Sequence, residues 1–269
     1  MLTVKNGTEP RQVAGRAPHQ SARSHSIILA LMSGEKRFYD AKFYQELQPT
    51  RDSAREILPI LIELLHPASV VDIGCGEGHW LSAALDLGVS DVLGVEGKWI
   101  TTAQIVIPRE KIRVHDLTHS LALERRFDLA LALEVAEHLP AAVAKQFVKG
   151  LCDAADRVLF SAAIPGQGGR NHVNEQWPQY WADLFLEFGY ECFDVLRPRI
   201  WKNPRVQWYY AQNCLLFARG AVEGLGAPTK PMPLVHPAAW LAQVNRWTSP
   251  GKLLERLPKA LWRRLSGAQ

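Results

Sequence analysis

The chain has few cysteines and no long apolar segment. Only four of its 269 residues are cysteine, and these are scattered singly among apolar residues, without the paired spacing of a zinc site or a disulfide framework. We therefore expect buried free thiols and a reducing compartment. No apolar stretch approaches the roughly 20 residues that span a membrane, and the N-terminus lacks the apolar core of a secretory signal. These absences predict a cytoplasmic protein.

The charge balance is close to neutral. Lys plus Arg number 31 against 27 for Asp plus Glu, a net charge of +4 that is too small to predict nucleic acid as a partner. The excess lies at the ends: residues 1–26 have four basic residues against one acidic, and residues 236–269 have six against one. This pattern indicates a globular body with basic appendages.

Composition divides the chain into four parts. Residues 1–26 lack periodicity and are expected to form a disordered arm. Residues 27–219 hold the main domain, which begins with helices, and residues 220–237 form a linker rich in proline and glycine. Residues 238–269 are expected to form a basic amphipathic helical tail. Such a tail is typical of a helix on an anionic membrane surface, here the inner one, and packing on the body or in a homodimer is the alternative.

Short apolar runs alternate with helical stretches through the main domain. Strands that are apolar on both faces and separated by helices are typical of a parallel sheet covered on both sides. After the fifth strand, two strands joined without a long helix predict an antiparallel hairpin at the sheet edge. The sequence thus predicts an α/β domain with a doubly wound, Rossmann-like sheet and an N-terminal helical cap. The predicted strands are Val70–Gly74, Val92–Glu96, Ile112–Val114, Asp128–Glu134, Val158–Ala163, Cys192–Leu196 and Asn213–Ala218, and the predicted helices are Ser53–Leu65 with Asp52 or Ser53 as its cap, His79–Leu87, Trp99–Val106, Ala141–Ala154 and Tyr180–Phe188.

The first predicted strand runs into a glycine turn, Asp72–Gly78, that opens a helix. Glycines at this place let the backbone turn tightly and approach a ligand at the end of the strand. The turn is not a P-loop, because it lacks the Lys-Ser/Thr pair, and it lacks the GxGxxG spacing of an NAD-binding domain. Glu96 ends the second strand, where it could hydrogen-bond a ribose, and Asp116 follows the third, where it could reach an adenine. The pattern predicts a nucleoside pocket without a phosphate site.

With these motifs and the segment Glu134–Leu139, the sequence resembles the class I S-adenosylmethionine-dependent methyltransferases over roughly residues 50–220. The resemblance implies a seven-stranded sheet with an antiparallel last strand and S-adenosyl-L-methionine as cofactor. It implies that the glycine turn lines the methionine and ribose, that Glu96 holds the ribose and that Glu134 faces the sulfonium. Positioning the turn is the alternative for Asp72, and a helix-start position is the alternative for Glu134. The implied cofactor-binding residues are Asp72, Gly74, Cys75, Gly76, Gly78, Glu96, Gly97, Asp116, Leu117 and Glu134.

A long polar loop, Pro165–Trp181, follows the fifth strand, where it would lie above the cofactor. His172 and Glu175 in this loop and His138 after the fourth strand are the candidate catalytic residues, because each could accept the proton of an acceptor. A structural hydrogen bond is the alternative for His138, and capping of the next helix is the alternative for Asn174 and Glu175. The run Pro-Gly-Gln-Gly-Gly followed by His-Val-Asn-Glu-Gln resembles one in bacterial methyltransferases of natural-product and surface-sugar gene sets.

Aromatic residues supply candidates for the acceptor pocket. Tyr39, Tyr44 and Tyr209, together with Asn174, are the candidates, since aromatic faces attract a sulfonium cation by about 0.5–2 kcal/mol. Ordinary packing is the alternative for each of these rings. This chemistry requires no metal, and none is predicted.

The sequence predicts an enzyme that transfers a methyl group to an oxygen or nitrogen of a small metabolite, such as a sugar or a natural-product intermediate. One alternative is a cyclase in which the cofactor's amino group attacks its own side chain, giving azetidine-2-carboxylate and methylthioadenosine. The other is a non-catalytic module that only binds S-adenosylmethionine. The expected partners are a small-molecule acceptor and, through the tail, a membrane surface or a second copy of the chain.

Overall fold

The computed structural model describes residues 48–98, 100 and 105–249. All described residues belong to one compact unit. In this part of the chain, no helix is long and apolar enough to cross a membrane. Several predictions of the sequence lie outside the described residues: the arm 1–26, Tyr39, Tyr44, most of the helix Trp99–Val106 and the tail beyond residue 249.

The described residues form a seven-stranded sheet flanked by helices, as the sequence predicts. The strands are β1 (Ser69–Ile73), β2 (Asp91–Glu96), β3 (Ile112–Val114), β4 (Leu129–Leu133), β5 (Arg157–Ser161), β6 (Tyr190–Phe193) and β7 (Leu215–Arg219). The helices are α1 (Gln48–Leu65), α2 (His79–Asp86), α3 (Ala144–Ala154), α4 (Pro178–Leu186), α5 (Arg197–Ile200), α6 (Trp208–Asn213) and α7 (Pro237–Thr248), with short 3-10 turns at Arg109–Lys111, Ala136–His138 and Ala141–Val143.

The strand order is β3-β2-β1-β4-β5-β7-β6. The first five strands are parallel, and β7 lies antiparallel between β5 and β6. The predicted doubly wound α/β class, with an antiparallel last strand, is therefore confirmed. The chain moves outward in both directions from β1 and β4, so a crevice opens between their carboxyl ends, which is the usual place for a ligand in such sheets.

Two apolar layers cover the two faces of the sheet. Alternate residues of β1 point to opposite faces, so that Val70 belongs to one layer and Val71 to the other. Both strands at the centre, β1 and β4, are buried along their whole length, which explains their continuous apolar runs. Each fully buried Leu, Ile or Phe contributes about 1.5–3 kcal/mol to folding. Residues of α1, α2 and α6 pack in the first layer, and residues of α3 and α4 pack in the second.

Several predicted boundaries are wrong. Helix α1 begins at Gln48, so Asp52 and Ser53 lie inside the helix and do not cap it. The hydroxyl of Ser53 instead accepts a hydrogen bond from the backbone N–H of Gln207 at 3.0 Å. Ile105 and Val106 are not helical, and strands β6 and β7 are joined through α5 and α6, so their antiparallel pairing does not depend on a simple hairpin loop.

The predicted linker packs on the domain. Residues 220–236 contain no helix or strand, and α7 begins at Pro237. The Thr229 backbone N–H donates to Cys192 O at 2.8 Å, and the His236 N–H donates to Gln212 Oε1 at 2.8 Å. Buried Arg197 donates to Met232 O and forms an ion pair with Asp194. These bonds hold the start of α7 near the last strands of the sheet.

Candidate active site

The candidate functional side chains lie at the carboxyl ends of the parallel strands. β1 runs into the glycine turn, β2 ends at Glu96, β3 is followed by Asp116, and β4 is followed by Glu134. The 3-10 turn that carries His138 also follows β4, and the loop that carries His172 and Glu175 follows β5. The parallel sheet therefore collects segments far apart in the sequence at one edge.

The glycine turn needs glycine for two different reasons. Gly74 has φ +85°, and a Cβ there would overlap the side chain of Val135, so its lack of a side chain allows close packing. Gly76 has φ +52°, but a Cβ there would meet no atom within 4 Å. Its side of the turn is open, which is what close approach of a ligand to backbone requires. Gly78, with φ +87°, stands at the N-cap of α2.

Glu96 holds the turn in place. Its Oε2 accepts a hydrogen bond from the Gly76 N–H and its Oε1 accepts one from the Gly97 N–H, both at 2.7 Å. The side chain is buried, and burial raises the pKa of Glu96 even though the two N–H groups favour its carboxylate form. Each carboxylate oxygen has a second lone pair, so Glu96 can still accept from a ribose hydroxyl.

Asp72 is a buried carboxyl group with an unsatisfied oxygen. Its Oδ2 is buried and has no hydrogen-bond partner among the described residues. Burial, and next the negative charge of Glu96, raise the pKa of Asp72 well above its usual value. The side chain of Cys75 lies in the apolar core, where a Cβ on Gly94 would lie 2.7 Å from its Sγ. Cys75 therefore offers a ligand only its backbone.

Asp116 and Leu117 occupy different surroundings. Asp116 is exposed, and its Oδ1 accepts hydrogen bonds from the Thr118 N–H and hydroxyl at 2.9 and 2.7 Å. These two bonds lower the pKa of Asp116. Leu117 is buried in the apolar layer that contains β1 residues Val71 and Ile73. Asp116 thus stands at the rim of the sheet edge, while Leu117 supports it from below.

Glu134 lies at the centre of a buried polar network. Its φ of 55° places it in the left-handed region, which is costly for a non-glycine residue. Its Oε1 accepts from Asn213 Nδ2 and its Oε2 accepts from Gln167 Nε2, both at 3.0 Å. Burial raises the pKa of Glu134, whereas these amide donors favour the charged form. Gln212 extends the network by donating to Gln167 Oε1 at 3.0 Å.

Glu137 is a second buried acid beside Glu134. It has no solvent exposure, its Oε1 accepts from the Ala163 N–H at 3.2 Å, and its Oε2 has no partner among the described residues. Burial, and next the charge of Glu134, raise the pKa of Glu137 well above its usual value. Its carbonyl accepts from the Val173 and Asn174 N–H groups, which ties the loop after β5 to the turn after β4.

The three candidate catalytic residues come together. The ring centroids of His138 and His172 are 4.9 Å apart, with the planes at 86°. His172 Nδ1 lies 2.9 Å from Glu175 Oε1, and Glu175 also accepts from the Gly166 and Gly168 N–H groups at 2.7 and 2.8 Å. Burial, and next the proximity of His172, lower the pKa of His138 to about 4. Burial disfavours the Glu175 carboxylate, but its hydrogen bonds outweigh that and lower its pKa.

The described acceptor-pocket candidates are mostly buried. Asn174 is 3% exposed, and its Oδ1 accepts from Gln176 Nε2 at 3.0 Å. The alternative in which Asn174 and Glu175 cap the next helix is wrong, because α4 has Trp177 at its N-cap and no side-chain cap bond. Tyr209 is half-buried on α6, and burial followed by the charge of Glu134 raises its pKa.

Part of this arrangement is not predicted from the sequence. Glu137 stands within the quoted Glu134–Leu139 segment, and its place directly before His138 could have indicated a shared site. Gln167 also lies in the loop Pro165–Trp181, which is predicted to lie above the cofactor. Asn213 and Gln212 carry no local signal, because α6 brings them to Glu134 only through the fold.

Comparison with known proteins identifies a family and similar folds. A family profile described as a methyltransferase domain matches residues 44–194, more than half of the chain. In fold, the chain is similar to the sugar N-methyltransferase KedS8 from Streptoalloteichus sp., with 13% identity, a TM-score of 0.50, and 81% of this chain and 100% of that chain covered. The methyltransferase domain of bacterial CtHen1 is 19% identical to this chain, with a TM-score of 0.46, and the match covers 63% of this chain and 98% of that chain. Magnesium protoporphyrin IX methyltransferase from Synechocystis, with bound S-adenosylhomocysteine, is 16% identical, with a TM-score of 0.45, and the match covers 72% of this chain and 95% of that chain. No curated protein sequence matches.

The fold is that of a class I methyltransferase. The chain belongs to the methyltransferase-domain family: it is a class I S-adenosylmethionine-dependent methyltransferase, and S-adenosylmethionine is its cofactor.

The residues at the sheet edge fit this cofactor. S-adenosylmethionine carries positive charge on its sulfur and on its amino group, and a buried carboxyl group without a partner is stabilised by such a cation. Asp72 Oδ2 is an atom of this kind. The open side of Gly76 leaves space for a ligand against the backbone.

Proposed function

We propose that the enzyme transfers the methyl group of S-adenosylmethionine to an oxygen or nitrogen of a small metabolite, such as a sugar or a natural-product intermediate. The observation that carries this proposal is the His172–Glu175 pair, 2.9 Å apart and backed by two backbone N–H groups, beside His138 at the carboxyl edge of the sheet. An oxygen or nitrogen nucleophile must lose a proton during methylation, and a histidine oriented by a carboxylate is suited to accept it.

In this proposal the cofactor lies across the glycine turn. Gly74, Cys75, Gly76 and Gly78 line it with backbone, while Asp72 faces its positive charge. Glu96 and Gly97 hold the ribose, Asp116 and Leu117 border the adenine, and Glu134 lies on the sulfonium side. The two carboxyl groups of Asp72 and Glu96 have raised pKa values because they are buried. A bound cation would offset that cost of burial.

The protein's residues position and deprotonate the acceptor. When bound, S-adenosylmethionine supplies a methyl group whose transfer breaks the methyl–sulfur bond and leaves S-adenosylhomocysteine. As the new bond to the acceptor forms, the acceptor's proton passes to His172, and Glu175 stabilises the imidazolium that results. Holding the nucleophile in line with the methyl carbon in a site that excludes water contributes most of the remaining acceleration. Tyr209 and Asn174, with Tyr39 and Tyr44, are proposed to border the acceptor.

Two observations support a small acceptor: the borders of the crevice and the fold similarity to a sugar N-methyltransferase. The crevice is bordered by a loop and by α6 and α7 of the same domain, which suits a small molecule. The fold likeness to a sugar N-methyltransferase makes amino sugars and their hydroxylated relatives the first acceptors to test.

The test is mass spectrometry of small molecules after incubation with S-adenosylmethionine, with and without a panel of sugar and phenolic acceptors. We expect S-adenosylhomocysteine and a methylated acceptor only when an acceptor is present. His172→Ala should keep cofactor binding and slow turnover by about 10²–10⁴-fold, the usual contribution of a general base. Methylthioadenosine formed without acceptor would identify the cyclase, and bound cofactor with no product from any acceptor would identify a binding module.

We propose that the enzyme acts in the cytoplasm in a biosynthetic reaction, that it does not bind nucleic acid, and that residues 238–269 contact a membrane surface. Homodimer formation is the alternative role of this tail. Light scattering of the whole chain measures the oligomeric state, and flotation with lipid vesicles tests the membrane contact.

A further inference from the structure

We propose that Glu137, His138 and His172 bind one divalent transition-metal ion next to the methyl-transfer site. Each of these residues offers one ligand atom, and the three atoms lie within 4.8 Å of one another. Ligand atoms on one ion are separated by about 3–4 Å, because each lies about 2.0–2.2 Å from the metal. Only small side-chain movements are therefore needed to close the site.

An independent observation points to a ligand at this place. Glu137 has no solvent exposure, and its Oε2 has no N–H or hydroxyl partner among the described residues, although its carboxyl group also faces that of Glu134. His138 Nδ1 is likewise buried without a partner. An unsatisfied buried acceptor destabilises a fold by about 1–3 kcal/mol, and more when the group is charged. A metal ion that binds both atoms would remove this cost.

The groups behind the three ligands resemble the outer contacts of known metal sites. A metal-binding histidine usually donates its second ring N–H to a carboxylate or a backbone carbonyl. His172 is paired in this way with Glu175 through Nδ1, which leaves Nε2 for the ion. Glu137 Oε1 is fixed by the Ala163 N–H, which leaves Oε2 for the ion.

The ligand set selects the class of ion. Two imidazoles and one carboxylate suit Mn²⁺, Fe²⁺, Co²⁺ or Zn²⁺, whereas Mg²⁺ and Ca²⁺ prefer oxygen ligands alone. Three protein ligands leave at least one coordination position open for another molecule. His172 and Glu175 are partly exposed, so this position can be reached from the cleft.

This inference rests on the proposed function and specifies its acceptor: a molecule with two neighbouring oxygens, such as a vicinal diol or a catechol, that binds the ion before methylation. A divalent ion lowers the pKa of a bound hydroxyl group, so the ion assists loss of the proton. His172 then serves as a ligand, with Glu175 as its positioning residue, and solvent takes the proton. The inference thus replaces the general base of the proposed reaction and leaves methyl transfer unchanged.

The primary test measures metal binding without cofactor or acceptor. Untagged full-length protein is stripped with a chelator and titrated with Co²⁺, whose visible absorption reports coordination, and bound metal is counted by mass spectrometry after gel filtration. We expect one ion per chain in the wild-type protein and at least about tenfold weaker binding in Glu137→Gln and His172→Ala. His66→Asn is the matched control, because it removes an exposed histidine that has φ 44°, a conformation that asparagine tolerates.

A supporting variant tests the hydrogen bond between Glu175 and His172. Glu175→Gln keeps the size of the side chain but weakens its hold on His172, and we expect about 10–100-fold weaker Co²⁺ binding. Unchanged affinity in Glu137→Gln, His172→Ala and Glu175→Gln, or no bound ion in the wild-type protein, would overturn the inference.

Activity and cofactor binding separate this inference from the proposed function. Calorimetry of S-adenosylmethionine binding to Glu137→Gln is the check that this variant folds. If the stripped enzyme loses turnover and Mn²⁺ or Co²⁺ restores it, the inference is supported. If the stripped enzyme methylates acceptors at the full rate, the inference fails while the proposed function stands. If the ion binds as expected but no acceptor is methylated, the proposed function and this acceptor class fail, and the metal site alone remains.

Discussion

The backbone of Gly169 packs against the ring of His172 so closely that a Cβ atom at Gly169 would overlap the ring at Nε2. Gly169 does not have a positive φ, so alanine there is excluded by contact and not by backbone strain. The loop after β5 therefore requires a glycine at this position. The absence of a side chain at Gly169 leaves room for His172 Nε2, the ring nitrogen that does not contact Glu175.

Gly169→Ala should displace the His172 ring and lower turnover. A misplacement of about 1 Å in a catalytic group costs on the order of 10²-fold in rate, whereas the cofactor site is untouched. Steady-state kinetics and cofactor calorimetry measure the two effects. Gly150→Ala in α3, where the new Cβ would lie 3.3 Å from Leu121, is the control and should keep the wild-type turnover and cofactor affinity. Normal turnover in Gly169→Ala would contradict the role given to His172.

Gly76→Arg should abolish cofactor binding. A side chain at Gly76 meets no protein atom within 4 Å, so it projects into the space proposed for the cofactor. Gly88→Arg is the matched control, since Gly88 also has a positive φ and open space but lies at the end of α2. Both substitutions should cost about 1–3 kcal/mol of unfolding free energy through backbone strain. Calorimetry should show binding lost only in Gly76→Arg, and equal affinities would remove the turn from the cofactor site.

The sequence could predict the sheet because its strands carry their own signal. Runs such as Val70–Gly74 and Asp128–Glu134 are apolar on both faces, and parallel strands buried on both sides require that pattern. The family resemblance adds a seven-stranded sheet with an antiparallel last strand, and the glycine turn marks the cofactor edge. Local patterns are thus enough to predict the strands, and the resemblance completes the sheet.

The same reasoning failed where contacts are long-range. Asp52 and Ser53 looked like a helix cap because their types favour that position, but α1 extends back to Gln48. The partners of Glu134 include Asn213, which is 79 positions away along the chain. No local pattern encodes such a contact. The same holds for Glu137, whose burial depends on the loop after β5.

Asp72→Asn should stabilise the cofactor-free protein, more at pH 8 than at pH 5. Burial and the charge of Glu96 raise the pKa of Asp72 above its unfolded value, so the folded state binds this proton more tightly. The wild-type protein then loses stability relative to the variant as pH rises from about 4 through the folded pKa. We expect a gain of about 1–2 kcal/mol at pH 8 in urea unfolding, as for other substitutions that relieve strain at functional sites.

The control for Asp72→Asn is Asp52→Asn. Asp52 is exposed on α1, so its substitution should change stability little. Added S-adenosylmethionine should raise the melting temperature of the wild-type protein and of Asp52→Asn but not of Asp72→Asn. A stability difference for Asp72→Asn that is the same at both pH values would show that Asp72 is not a strained buried acid.

Asn213→Ala should destabilise the domain by about 1–3 kcal/mol. The substitution removes the donor to Glu134 Oε1 and leaves a buried carboxylate oxygen unsatisfied. Urea unfolding of the wild-type protein and of Asn213→Ala measures the difference in the free energy of unfolding. Gln179→Ala removes an exposed amide that bonds Asp183 and should change stability by less than about 0.5 kcal/mol. Equal small effects would indicate that water enters the Glu134 network.

The described part of the C-terminal tail presents an apolar face to solvent. On α7, Trp240 and Leu241 are 63% and 58% exposed, while Gln243 donates to the Gly166 and Gln167 carbonyls of the loop after β5. Truncation before α7 would remove those bonds as well, so substitution of the exposed residues is the sharper experiment. Trp240→Ser with Leu241→Ser removes the apolar face and keeps Gln243.

In flotation with anionic vesicles, the wild-type protein should rise with the lipid, and the double variant should lose most of that binding. Apolar side chains that enter the interface and basic residues that attract anionic lipid act together, so neutral phosphatidylcholine vesicles should recover less protein. Asn245→Ser, an exposed polar change on the same helix, is the control and should float like the wild type. Equal recovery of the wild type and the double variant would leave packing against a second copy as the role of this face.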